Sequence, residues 1–466
     1  MTFSFFKKSL ASPLRDETEE QRRKRLKRLQ WSSFIAITLG YSMYYVCRTS
    51  LNVVKKPILD SGTLDAKQLG VISSALLFTY AIGKFVNGFL ADHSNIKRFM
   101  ATGLLMSTVA NIVVGLLGFI TASQAVVAQT AFFIIFAVLW GINGWAQSMG
   151  APSCVVSLSR WYPLSTRGTF YGFWSLSHNL GEFFSFLLVG GLVGLFGWQY
   201  GFIGASVAGS IGFILILLML HDSPESKGMP PIAVMAGEEQ IEDKKQHSVG
   251  VSQKEVLKNP YVWVLALASA FMSVSRYAVN GWGVLYLQES KGFELTTATQ
   301  IVSINALFGI IGTVFSGWLS DKVFKGNRYI PAVFSGLLEV VALLLFAFGG
   351  NLMWVNILAM VLFGIAIGVL ICFLGGLMAV DIVPREAAGA ALGVVGIASY
   401  VAAGLQDIAS GLLLDGNKTL VDITDGVERY SYNFTPALWF WITAAVLSIV
   451  LVCVVWRKAC RITISE

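Results

Sequence analysis

Charge is what this chain has least of. Only 13% of its 466 residues are Asp, Glu, Lys or Arg, about half the share of an ordinary soluble domain, and that class is excluded. Histidines number four and cysteines five. The cysteines (Cys47, Cys154, Cys372, Cys453, Cys460) are odd in number and scattered, mostly within or beside apolar runs. Neither a disulfide framework nor a zinc spacing emerges from them. The chain contains no phosphate-cradling loop, no nucleophile triad and no metal-ligating cluster, so no enzyme, cofactor or metal is expected. Residues 13–30 (PLRDETEEQRRKRLKRLQ) are too polar for the apolar core of a cleavable signal, so the first apolar segment is expected to be retained as a span. The net charge of +7 does not indicate nucleic acid, because the charges cluster in short segments between apolar runs.

What is present is apolar. Hydrophobic residues make up 55% of the chain and 46 residues are glycine; the mean hydropathy is +0.66. Glycine at that level suits close helix packing in a bilayer. A run of about 20 apolar residues crosses the hydrocarbon. Twelve candidate runs occur, at 32–54, 68–91, 98–121, 126–153, 168–194, 200–220, 260–288, 297–319, 329–349, 353–382, 388–414 and 436–456. The longest polar break, 221–259, divides them six and six, with Asn259 and Pro260 marking the start of the seventh. The expected organisation is a segment 1–31, a six-helix bundle 32–220, a linker 221–259, a second bundle 260–456 and a tail 457–466. With the N-terminus inside, most of the 34 Lys and Arg fall on the cytoplasmic side, in 1–31, the linker and the tail above all. Six, including Lys55 and Lys56, fall in external segments. That asymmetry puts both termini in the cytoplasm.

Two arginines within the apolar runs share a spacing. Arg48 lies in LGYSMYYVCRTSLNVV and Arg276 in FMSVSRYAVNGW, 228 residues later. A guanidinium in hydrocarbon costs at least about 2.5–3.5 kcal/mol, so each must face a protein interior or a wet cavity. A second motif repeats at nearly the same offset: Gly88-Phe-Leu-Ala-Asp92-His93 and Gly317-Trp-Leu-Ser-Asp321-Lys322, each followed by basic residues. Two parallel six-helix halves account for both repeats. The glycine permits close helix approach; Gly88, Asp92, Gly317, Asp321 and Lys322 are read as a latch between helices. Two guanidiniums from opposite halves, facing one cavity, suit a small dianion such as phosphate.

Twelve spans, a central linker and the paired motif resemble the major facilitator superfamily. Further motifs narrow the resemblance: Gly40-Tyr41-x-x-Tyr44-Tyr45-x-x-Arg48, Tyr80-Ala-Ile-Gly-Lys84-Phe, Asp92-x-Ser94-Asn95, Arg167-Gly168, Trp174-Ser-Leu-Ser-His178-Asn179-x-Gly181, Arg276-Tyr-x-x-x-x-Trp282 and Ala388-Gly389. Together they are similar to the organophosphate:phosphate antiporter family, from about residue 20 to 455. The resemblance implies an all-α membrane protein of two pseudo-symmetric six-helix bundles. It also implies a monomeric exchanger of phosphorylated sugars for inorganic phosphate in a bacterial inner membrane.

Arg48 and Arg276 fall on that family's two substrate-binding arginines. By the same resemblance Lys84, Tyr41, Tyr45, Tyr80, Trp145, Trp174 and His178 line the substrate path. Tyr41, Tyr45 and Arg48 also share a helix face by spacing. The chain departs from the family at several positions. Thr49 follows the first arginine, Glu182 replaces a glycine, and Leu392, Val395 and Ala306 stand where some relatives carry charge. Glu182, four residues after His178, and Asp407 are candidates for charge compensation or proton coupling. Stretches such as Asp222-Ser-Pro-Glu-Ser lean toward the hexose-6-phosphate members, with glycerol-3-phosphate and phosphoglycerate as further possibilities. Two readings of other kinds stay open: a membrane sensor for external hexose phosphate, and a proton-coupled organic anion carrier. Asn417 and Asn433 begin glycosylation sequons by pattern.

Overall fold

The computed structural model describes residues 4–120, 126–237, 257–324, 327–383, 388–424 and 427–464. Twelve helical segments order these residues. The first half holds α1 (Glu19–Asp60), α2 (Ala66–Asp92), α3 (Ile96–Ile120), α4 (Val126–Gln147, then Gly150–Trp161), α5 (Leu164–Ser175, then Ser177–Phe196) and α6 (Trp198–Met219). The second half holds α7 (Pro260–Lys291), α8 (Leu295–Trp318), α9 (Tyr329–Phe348), α10 (Met353–Cys372, ending in Met378–Asp381), α11 (Ala388–Gly416) and α12 (Thr435–Ile464). Side chains set the starts of α1, α2 and α7. Thr18 with Gln21 and Asp65 with Gln68 form reciprocal caps on α1 and α2. Asn259 accepts from the Tyr261 amide ahead of Pro260 at the first position of α7, satisfying an otherwise orphaned donor.

Eleven of the twelve are long and apolar enough to cross a membrane. The exception, α1, reaches well past the expected 32–54 at both ends. Its middle carries Ser, Thr, Tyr and Arg, many of them buried, and it packs on α5, α6 and α7. A helix enclosed by other helices needs no lipid-facing apolar surface, which is why its hydropathy is low.

Between α11 and α12 the chain forms an antiparallel hairpin, β1 (Lys418–Thr424) and β2 (Val427–Tyr432), with Lys418 opposite Tyr432 and Thr424 opposite Val427. It marks one end of the bundle; the described residues nearest the two termini and those flanking 238–256 mark the other. The hairpin stretch falls between the last two apolar runs expected from the sequence, 388–414 and 436–456. At the termini end, residues from Ser4 onward lie on the first half. The Ser9 amide donates to Asp222 (2.8 Å), which also accepts from the Ile96 amide (2.9 Å) and pairs with Arg160 (2.5 Å).

The halves meet along three seams: α1 with α7, α2 with α11, and α5 with α8. At the hairpin end the seams are tight. A Cβ on Gly70 of α2 would stand 2.5 Å from the Asp407 carbonyl oxygen, and one on Gly411 of α11 would stand 2.6 Å from the Ala66 carbonyl oxygen. Only glycine allows the two backbones that close. Lys56 of α1 pairs with Glu289 of α7 at the same end. Towards the termini end the seams part. After the Tyr80–Tyr400 ring contact at 4.6 Å, Lys84 is exposed, and Gly88 and Gly393 face open space. On the α5–α8 seam a Cβ on Gly190 would meet Thr299, whereas one on Gly168 or Gly172 would meet nothing within 4 Å among the described residues. The space between the halves therefore opens at the termini end and is closed at the hairpin end.

Candidate anion-binding site

Spacing on α1 builds one wall of the site. Tyr41, Tyr45, Arg48, Asn52 and Lys55 recur every three or four residues, one stripe of a helix. Arg48 is only 6% exposed. Its guanidinium carbon lies 4.4 Å from the Tyr80 ring centre and 5.5, 5.7 and 5.9 Å from those of Tyr45, Tyr400 and Tyr277. It donates one hydrogen bond to the Tyr277 hydroxyl, at 3.3 Å. Four ring faces hold the cation through their quadrupoles and leave most of its donors for another acceptor.

Arg276 enters from α7 in the other half. Both arginines line one cavity, of about 40 Å³, with Asn52, Glu182, Asn280 and Asp407. Among the described residues neither arginine has a carboxylate oxygen within 4 Å. The acids of the cavity are engaged elsewhere. Glu182 accepts from the Asn280 amide at 2.8 Å, a bond between the halves, and Asp407 accepts from the Trp282 indole at 2.9 Å, a bond within the second half. Two cations with unused donors at the meeting of two halves can take a tetrahedral dianion from both sides.

The other expected residues separate into groups. Tyr45 and Tyr80 flank Arg48, and the His178 ring lies 5.8 Å from that of Tyr45. Tyr41 and Trp174 pack together at 5.2 Å, one step further along the stripe. Lys84 extends to within 5.2 Å of the Tyr400 ring centre at the open end. Trp145 is not brought to the arginines; it lines a shallow groove between α2 and α4 with Thr79 and Gly141. In the first half the latch residues Gly88 and Asp92 make no side-chain contact with another helix among the described residues. Asp92 is exposed and only its carbonyl oxygen is engaged, by Arg160. Arg160 pairs with Asp222, and in the second half Arg328 pairs with Asp381 at 2.8 Å. Lys322 is exposed; the side chain of Asp321 and the surroundings of Gly317 lie outside the described residues.

Sequence reasoning missed four neighbours of the site: Tyr277, Tyr400, Asn280 and Lys55. Lys55, assigned to an external segment, is instead fully buried. The signal was present, since Lys55 stands two turns after Arg48 on the same helix face. Tyr400 had no comparable signal; it reaches Arg48 only through the packing of α11 on α2.

A family model for the Major Facilitator Superfamily matches residues 37–406. The membrane sensor protein UhpC of Salmonella typhimurium is 36% identical over 334 residues, covering 70% of this chain and 72% of that protein. A probable hexose phosphate transport protein of Chlamydia pneumoniae is 34% identical, covering 73% and 75%. The glycerol-3-phosphate transporter of Bacillus subtilis is 32% identical, covering 65% and 67%. Among solved structures, a bacterial homologue of the human lysosomal transporter Spinster, inward-facing and unoccupied, superposes with a TM-score of 0.69 at 16% identity, covering 92% of this chain and 95% of that one. That likeness speaks for the fold. The chain is a multi-pass membrane protein of the Major Facilitator Superfamily, within its organophosphate:phosphate antiporter family, and not an enzyme.

Proposed function

We propose that this protein is an inner-membrane antiporter that takes up a phosphorylated sugar, hexose 6-phosphate by preference, in exchange for inorganic phosphate. The termini end faces the cytoplasm and the hairpin end the outside, and the carrier works as a monomer. The observation that carries the reading is the pair Arg48 and Arg276, from opposite halves, lining one cavity with no carboxylate paired to either among the described residues. Phosphate entering from the open end binds between them and offsets their charge. That lowers the cost of desolvating two cations as the open seams close. The halves rock, phosphate leaves outside, and the phosphoryl group of a sugar phosphate takes its place. Without an anion the two charges oppose closure, so exchange is favoured over leak. The names of the relatives, hexose phosphate and glycerol-3-phosphate transporters, support a phosphorylated substrate.

The test is efflux of radiolabelled phosphate from proteoliposomes, with glucose 6-phosphate, glycerol 3-phosphate or 3-phosphoglycerate added outside in separate runs. Efflux triggered best by glucose 6-phosphate, and lost in Arg48→Ala and Arg276→Ala, is the expected result. Efflux surviving either substitution refutes the mechanism.

A sensor reading is favoured by the likeness to UhpC; it requires little flux and partner-dependent signalling. A proton-coupled reading is favoured by Glu182 and Asp407 in the cavity wall; it requires uptake driven by a pH gradient with no phosphate inside.

A further inference from the structure

Lys55 is the one lysine of α1 that is fully buried and without a hydrogen-bond partner on its ammonium group. The ammonium lies 3.6 Å from the ring centre of Trp282. A Cβ on Gly281 would stand 3.6 Å from it and 3.3 Å from the Asp407 carboxylate. So a cation of the first half is seated in a slot formed by α7 and α11 of the second, beside the arginine cavity that Gly281 and Asp407 help to line.

The adjacent Lys56 gives the contrast. It reaches across the same seam and pairs directly with Glu289, as a device for holding the halves together would. Lys55 makes no such bond. Asp407 has no lysine nitrogen within 4 Å among the described residues and takes its hydrogen bond from Trp282 instead. A buried ammonium with three unused donors is costly; the Trp282 ring face and the Asp407 carboxylate, which faces it across Gly281 without a direct bond, offset part of that cost. The arrangement is a weak resting place, one that favours release when the seam opens.

Release has a defined consequence. Trp282 and Asp407 are bonded within the second half and stay together when the halves part at the hairpin end. Lys55 leaves with α1. Its ammonium then stands free in the opening, two turns from Arg48, about 10 Å along the helix at 1.5 Å per residue. Asn52 lies between them on the same face.

We propose that Lys55 is a second anion-binding position, set between the arginine cavity and the solvent at the hairpin end. It is stowed on Trp282 while that end is closed and offered to a phosphoryl group when it opens. It is the first contact for a phosphate or phosphate ester arriving from that side and the last for one departing. The inference rests on the exchange reading above and adds a side-specific contact to it.

The test measures half-saturation of phosphate–phosphate exchange separately from each face, in right-side-out and everted membrane vesicles. It compares the full-length protein with Lys55→Met, Lys55→Gln and Lys55→Arg. In Lys55→Met and Lys55→Gln the half-saturating phosphate rises about tenfold at the hairpin side and stays within about twofold at the termini side; Lys55→Arg restores the hairpin-side value. A lysine that only held the closed state would give the opposite sign, since its loss would populate the open hairpin end and tighten apparent binding there. That result, or an unchanged hairpin-side value in correctly inserted Lys55→Met or Lys55→Gln protein, overturns the proposal alone. Wild-type vesicles that exchange no phosphate from either face overturn the exchange reading, and this inference with it.

Discussion

The two ends of the seam between the halves are built from the same helices and behave differently. At the hairpin end α2 and α11 approach until a Cβ on Gly70 or Gly411 would strike the facing backbone. At the termini end of the same pair a Cβ on Gly88 or Gly393 would meet nothing within 4 Å among the described residues. The α5–α8 seam repeats the pattern, tight at Gly190 and open at Gly172 and Gly168. The arginine cavity lies where tight contact gives way to open space. Two seams, related by the internal repeat and parting in the same direction, describe rigid halves hinged about the site. On the exchange reading proposed above, the difference between the ends is one of state, and each end must be able to adopt the other's form.

The strongest way to break the comparison is at the hinge itself. Arg48→Ala or Arg276→Ala would remove one side of the proposed anion contact, a charge-assisted interaction worth about 3 kcal/mol. Phosphate exchange in proteoliposomes is expected to fall by at least about 100-fold with no loss of folded protein. Next comes Gly411→Val, which sets a branched side chain against the Ala66 carbonyl. Overpacking of this kind costs about 1–3 kcal/mol. It should hold the hairpin end ajar, seen as faster labelling of a cysteine placed at Gly62 and roughly tenfold slower exchange. A smaller effect is expected from Asn280→Ala, which deletes the bond to Glu182 across the seam. Its net worth of about 1–2 kcal/mol predicts a several-fold drop in exchange, and Asn280→Asp should be worse because it faces a carboxyl. The smallest comes from Lys56→Gln. Lys56 is one-quarter exposed, so its pair with Glu289 is worth at most about 1 kcal/mol. A two- to fivefold rise in hairpin-end cysteine labelling would register it.

Much of this was legible in the chain before folding. The twelve spans follow from hydropathy because a bilayer leaves the backbone few other solutions. The two arginines stood out because charge in an apolar run needs a reason. What was missed depended on which neighbour a face meets. Lys55 sits at the end of an apolar run, where a lysine ordinarily reaches for water; here the slot of Gly281, Trp282 and Asp407 covers it. Tyr400 is an ordinary aromatic on α11 until the packing of α11 on α2 sets it beside Tyr80 and the Arg48 of α1. The strands could have been read: β-prone Thr419, Val421 and Ile423 precede the sequence Asp425-Gly426, and Val427 and Tyr430 follow, the sequence signal of a hairpin. The latch motif was legible as a repeat, but not the partners of its neighbours: Asp222 and Asp381, distant in sequence, take Arg160 and Arg328.

The most direct test of the central claim is a distance. Spin labels at Gly88→Cys and Gly393→Cys, in an otherwise cysteine-free protein in liposomes, report how far apart the open ends of α2 and α11 stand. With saturating phosphate the account predicts a new, shorter population in the wild-type site and none when Arg276→Ala is added. A short population of equal size without phosphate, or one that persists with phosphate in Arg276→Ala, would contradict the claim that an anion held between Arg48 and Arg276 is what lets the open end close.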